Sequence, residues 1–123
     1  MPLPSTYRYT AYNASGASSD ITVEEQAWKF DSNGALSYGT WTTRMNAVTT
    51  ADGTLGTGAT VDNSTAKNIG ANLLVSATGT GTAGVITVFL EFSDDGGTTW
   101  PDAQEGIPIG SLDAGDSNVA MTA

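Results

Sequence analysis

The chain contains no cysteine and no histidine. Without thiols there is no disulfide, no sulfur nucleophile and no thiolate metal ligand. Without imidazole it lacks the commonest general base and the commonest transition-metal ligand. Cations are almost as scarce. Arg8, Lys29, Arg44 and Lys67 are scattered among 13 acidic residues, for a formal net charge of −9. Nucleic-acid binding relies on clustered Lys and Arg that displace counterions from phosphates, and anionic membranes attract the same clusters. Neither partner is expected here. Charged residues of both signs make up 14% of the chain, against roughly 25% in ordinary soluble domains. No apolar run approaches the roughly 20 residues of a membrane helix. Met1-Pro2-Leu3-Pro4-Ser5 has neither the basic region nor the apolar core of a signal peptide, which gives the expectation of synthesis in the cytoplasm without a cleaved leader.

What is present is a 123-residue chain, 39% hydrophobic, enough for one domain around one core. Thr, Ser, Ala, Asn and Gly fill the place of charge, giving a polar but largely uncharged surface suited to close contact with copies of itself or a partner. Short β-type runs alternate with turn signals, and no segment carries apolar residues at helical spacing over more than two turns. Tyr7, Tyr9 and Tyr12 mark a first run. Ile21, Val23, Trp28 and Phe30 mark a second, whose parity changes near Glu25 and predicts a bulge or break there. Asp31-Ser32-Asn33-Gly34 is a hairpin signal, and Leu36, Tyr38 and Trp41 lie on the return strand. Ala71, Leu73, Val75 and Ala77 share a face, as do Ile86, Val88, Leu90 and Phe92, the latter assigned to the core. Residues 79–84 read as a flexible loop. Ile107, Ile109, Leu112, Val119 and Met121 close the domain. The expected fold is all-β: an antiparallel β-sandwich or jelly-roll or barrel-like domain of about 7–8 strands, 1–123 forming one unit. Residues 1–6 read as a flexible arm and 54–68 as a long loop or arm.

Chemistry finds little purchase. Glu24 and Glu25 are adjacent on a strand and point to opposite faces, so they make no local acid–base pair; Asp94-Asp95 reads as turn charge. The loop around Asp113 and Asp116 offers hard oxygens for calcium but lacks the spaced acids of an EF-hand. No catalytic residue, cofactor or metal is assigned, and no enzymatic activity is expected. The sequons at Asn13 and Asn63 read as chance in a chain without a leader. The three Trp and four Tyr would suit sugar stacking, core packing or interface anchoring; Tyr7, Tyr9 and Trp41 are the candidate interface anchors.

One motif is specific. Ser93-Asp94-Asp95-Gly96-Gly97-Thr98-Thr99-Trp100 resembles the Asp-box, Ser-x-Asp-x-Gly-x-Thr-Trp, of sialidases and other β-propellers. The resemblance implies a structural turn made by Ser93, Asp95, Gly97, Thr99 and Trp100, with Asp95 as turn-fixing carboxylate, Gly97 as the backbone-permissive residue and Trp100 as anchor. It does not imply a glycosidase: sialidases hold substrate with three arginines, and this chain has two arginines and one box.

On the N-terminal Tyr-rich strand with its polar loop followed by Ala27-Trp28-Lys29-Phe30-Asp31-Ser32-Asn33-Gly34-Ala35-Leu36, and on the run from Val85 through the box to Pro101, the sequence is similar to small structural proteins of tailed bacteriophages. That resemblance implies a virion protein, foremost a capsid decoration (cement) protein. Such a protein sits on the capsid surface against the major capsid protein as a homo-oligomer, with a trimer favoured. A tail, fibre or baseplate component and a carbohydrate-binding module are the alternatives.

Overall fold

The computed structural model describes residues 3–79, 84–113 and 119–123. Alternation of apolar and polar residues sets nine strands: β1 (Thr6–Ala14), β2 (Ser19–Phe30), β3 (Leu36–Thr50), β4 (Leu55–Thr57), β5 (Val61–Asp62), β6 (Gly70–Gly79), β7 (Val85–Phe92), β8 (Ile107–Asp113) and β9 (Val119–Thr122). They form two antiparallel sheets. The first runs β4-β1-β7-β8, with β5 also paired to β1; the second runs β3-β2-β6-β9. The sheets pack face to face as a β-sandwich, and no helix occurs among the described residues.

One buried cluster fills the space between them. Tyr7, Tyr9, Ala11, Ile86, Val88, Leu90 and Leu112 come from the first sheet. Ile21, Val23, Met45, Ala71, Leu73, Val75, Ala77 and Met121 come from the second. Each set follows the two-residue period that puts alternate side chains on one face. The outer face of the first sheet is not bare: Phe89 and Glu91 are buried, and the chain after β7 covers them. A Cβ on Gly106 would stand 2.9 Å from Glu91 Cγ and 3.2 Å from Phe89 Cβ.

Several expectations change. The about 7–8 strands are nine because the stretch 54–68 is not a free arm. It contributes β4, which pairs with Thr10–Tyr12, and β5, which pairs with Thr6 and Tyr7. Asn63 then ties the following turn to Pro4 and Asn68 through its side chain. The described part of the 1–6 arm is likewise built in: Leu3 is buried, its amide donates to Ile69 O at 2.8 Å, and Ser5 O accepts from Asn63. Met1 and Pro2, and most of the 79–84 loop, lie outside the described residues. Phe92 keeps core parity but sits at the strand end, 48% exposed.

The break expected near Glu25 is absent from β2, which pairs with β6 in unbroken register from Ser19↔Gly79 to Trp28↔Gly70. Glu25 occupies the inward position, and Trp28 and Phe30 point outward. The irregularities fall on β3. Between the pairs Ile21↔Val48, Val23↔Met45, Glu24↔Thr43, and again between Gln26↔Trp41 and Trp28↔Tyr38, β3 advances one residue more than β2. These are three single-residue bulges, the first containing Ala47 at φ 46°.

Gly58 packs closely against this strand. A Cβ there would lie 2.9 Å from Arg44 O, 2.9 Å from Met45 Cγ and 3.0 Å from Tyr9 O. Gly58→Ala is expected to destabilise the fold by about 1–3 kcal/mol, as overpacking does; urea unfolding followed by circular dichroism measures it.

Candidate docking face

Residues 29–43 are exposed without interruption. β2 loses its β6 partner after Trp28, so beyond that point the β2–β3 hairpin is a two-stranded ribbon with no second layer among the described residues. Asp31 makes its turn: Oδ1 accepts from the Asn33 and Ala35 amides at 2.8 and 2.9 Å, and Gly34 takes φ 79°. Asn33 stays out of the left-handed region, so the Asn-Gly signal is realised as a longer loop, not a two-residue turn with both residues at positive φ.

Residues directly opposite in an antiparallel pair project to the same face. The pairs Gln26↔Trp41, Trp28↔Tyr38 and Phe30↔Leu36 therefore line one face, since 26, 28 and 30 share parity on the regular strand β2. Tyr38 and Trp41 are three residues apart and would diverge on a regular strand. The bulge between them restores Trp41 to the side of Tyr38. The result is one outward stripe of Trp28, Phe30, Leu36, Tyr38 and Trp41. Phe30 is 52%, Leu36 49%, Tyr38 54% and Trp41 45% exposed. Trp28 lies over Gly70, where a Cβ would come within 2.6 Å of ring carbons, and meets Phe30 edge to face at 6.1 Å.

The other expected anchors lie elsewhere. Tyr7 and Tyr9 are 1% and 0% exposed, inside the sandwich, so they are not surface anchors. Their face of β1 looks into the core, and their hydroxyls donate to Glu25 Oε2 at 2.7 and 2.5 Å. Arg44 donates to Glu25 Oε1 from Nε at 2.9 Å and pairs through Nη2 at 2.8 Å. The carboxylate is 1% exposed, and these four contacts replace its water. Burial pushes both phenols above their ordinary 10.0, the Glu25 charge adding to the shift. Two surface cavities, of about 280 and 170 Å³, are lined by neither Glu25 nor its partners.

The Asp-box-like segment forms a closed turn. Asp95 Oδ1 accepts from Ser93 Oγ at 2.6 Å and from the Thr98 and Thr99 amides at 3.0 and 2.9 Å; Oδ2 accepts from Thr99 Oγ1 at 2.6 Å. Ser93 Oγ accepts from the Gly97 amide at 2.9 Å, and Gly96 and Gly97 supply the positive φ. Trp100 Nε1 donates to Gly97 O, and its ring lies 4.2 Å from the Arg8 guanidinium, which itself pairs with buried Glu91 at 2.8 Å. Hydrogen bonds from Ser93, then Thr99, hold the Asp95 carboxyl well below the usual carboxylate range. No group of three or more acidic residues among the described residues is placed to hold a metal ion; Asp116 lies outside them.

Comparison with known proteins gives no match to a family model, to a curated protein or to a solved structure. Sequence reasoning selected Trp41 alone from the stripe. Counting back from the Asp31–Gly34 turn would have paired Phe30 with Leu36; nothing in the sequence marks the bulge that adds Trp41.

Two outcomes follow from the buried groups. Tyr9→Phe is expected to cost about 1.5–3 kcal/mol, the range for a hydrogen bond to a charged group, measured by urea unfolding at pH 7. Because the folded state holds the phenol protons more tightly than the unfolded chain, that stabilisation is complete below the unfolded value near 10 and is lost as pH rises beyond it. The wild-type melting temperature should therefore fall above pH 10, and less steeply in Tyr9→Phe. For Asp95 the sign is opposite: the depressed value stabilises above the unfolded carboxylate value of 3.8 and the effect disappears as pH falls below it. Asp95→Asn should flatten the acid limb of melting temperature between pH 6 and pH 2.

Proposed function

We propose that this chain is a non-enzymatic structural protein of a tailed-phage particle, foremost a capsid decoration protein that binds the outer shell as an oligomer and stabilises it. The observation that carries the reading is the exposed aromatic stripe on the uncovered ribbon 29–43. The largest contiguous apolar patch on a protein surface is often an interaction site, and a lone two-stranded ribbon gains stability when another surface covers it. Consumption of the acidic residues supports the same reading. Glu25 is sealed between the sheets, Glu91 is buried against Arg8, and Asp95 is spent on its own turn. The resemblance of the 27–36 and 85–101 segments to phage structural proteins supplies the particle.

The aromatic rings of Tyr38 and Trp41, exposed on one face, also suit sugar stacking, which keeps a carbohydrate-binding module as the second reading. Immunogold labelling of particles purified from the chain's source tests the first. Gold on the shell is the expected result. Gold on the tail moves the chain to a fibre or baseplate role, and absence from the particle overturns the reading. Binding to a glycan array that is lost in Trp41→Ala would install the second.

A further inference from the structure

We infer that the surface covering the aromatic stripe is a second copy of this chain, packed stripe against neighbouring chain through the face of the β2–β3 ribbon. The inference rests on the assembly role proposed above and names the stripe's partner.

Charge selects the occupant. From Gln26 to Thr43 the only charged residues are Lys29 and Asp31, so this segment carries no net charge, and the whole −9 belongs to the remainder of the chain. Like charge opposes contact between two copies over the acidic stretches of the remainder, such as 20–25 and 91–105. The ribbon is an exposed apolar face where they can meet without that penalty. A basic partner, by contrast, would be drawn to the acidic remainder and not to a neutral ribbon.

Area agrees. Large aromatics present roughly 150–250 Å² each, so the exposed fractions of Phe30, Tyr38 and Trp41, with Leu36 added, leave about 400 Å² of apolar surface on one face. A stable contact buries about 800 Å² per partner, apolar at the centre and polar at the rim. The stripe supplies the centre, and Gln26 and Thr43, on the same face, supply part of a polar rim.

The structure also decides between face and edge. β3 is the outer strand of its sheet, and from Leu36 to Thr43 it pairs only with β2 among the described residues. That edge resembles a template for strand addition, but the bulge between Tyr38 and Trp41 interrupts its ladder of donors and acceptors, a device that blunts edges. The same bulge completes the stripe. It disfavours an added strand and gathers the apolar side chains that receive a packed surface.

The test is multi-angle light scattering of the purified chain alone, at loading concentrations from about 1 to 200 µM. The expected mass is two or three times the 12.6 kDa of one chain. The double variant Phe30→Ser/Tyr38→Ser should weaken association by about 30-fold or more, the factor for losing an interface anchor, with an unchanged β-type circular-dichroism spectrum. Leu36→Asp, a single change at the ribbon tip, serves if the double variant misfolds; it should dissociate the oligomer, since it sets like charges face to face. Val85→Ser alters an apolar residue away from the ribbon that is 42% exposed and should leave the mass unchanged. A wild-type mass of 12.6 kDa throughout, or an oligomer indifferent to both ribbon variants, overturns the inference. A monomer that still labels the shell overturns this inference, and the oligomeric part of the proposed function with it, but leaves the shell-binding role standing. A ribbon-dependent oligomer absent from particles does the reverse.

Discussion

A single carboxylate buried between the sheets constrains the rest of the molecule. Glu25 stands on the inward face of β2, where its neighbours in parity are Ile21 and Val23. A charge in that position is tolerated only with its lone pairs occupied. Two donors, Tyr7 and Tyr9, come from the opposite sheet, and the third, Arg44, comes from the bulged strand beside it. The network thus joins both sheets and a bulge at one point. An apolar core would tolerate small slips between sheets; a carboxylate that needs donors from two other strands, one in each sheet, does not. Arg44 is the extra residue of the second β3 bulge, between Met45 and Thr43, so the irregularity that looks like a flaw in the strand is what delivers the counter-charge.

The consequences reach the opposite face. Because β2 stays regular and keeps Glu25 inside, Trp28 and Phe30 are forced outside. Because β3 carries its irregularities as bulges, Leu36, Tyr38 and Trp41 end on the same side as those rings. The inner polar network and the outer apolar stripe are two results of one register. The molecule is correspondingly uneven. The body has a closed core, an outer face of the first sheet covered by the chain after β7, and a turn fixed by Asp95. The ribbon has two strands and, among the described residues, no second layer, so its own burial is unfinished. Function in a protein of this kind follows from where burial has been left incomplete, and here that place is uncharged, aromatic and on one side.

Features whose bonds are local could be read from the residues. The Asp95 turn closes within eight residues, and each of its donors lies within four positions of the carboxylate. The hairpin at Asp31–Gly34 and the inward faces of β6 and β7 follow from turn chemistry and a period of two. Tyr7 and Tyr9 show where this reasoning stops. Two aromatics at alternate positions fit a core face or a sticky arm equally well, and the choice depends on a carboxylate 16 and 18 residues away. Residues 54–68 read as loop because Gly and Thr carry little apolar periodicity. They became strands because β1 offered an unpaired edge to them.

The amino-acid sequence alone determined the all-β class, the absence of imidazole and thiol chemistry, the position of the Asp95 turn and the neutrality of the ribbon. Each of these is composition or a contact between near neighbours in the chain. Only the tertiary structure decided that Tyr7 and Tyr9 face inward, that Glu25 replaces a hydrophobe in the core, and that five apolar residues share one exposed face. Those outcomes depend on register between strands. One extra residue in a strand reverses every side chain beyond it, and where that residue goes is settled by what the opposite sheet must bury.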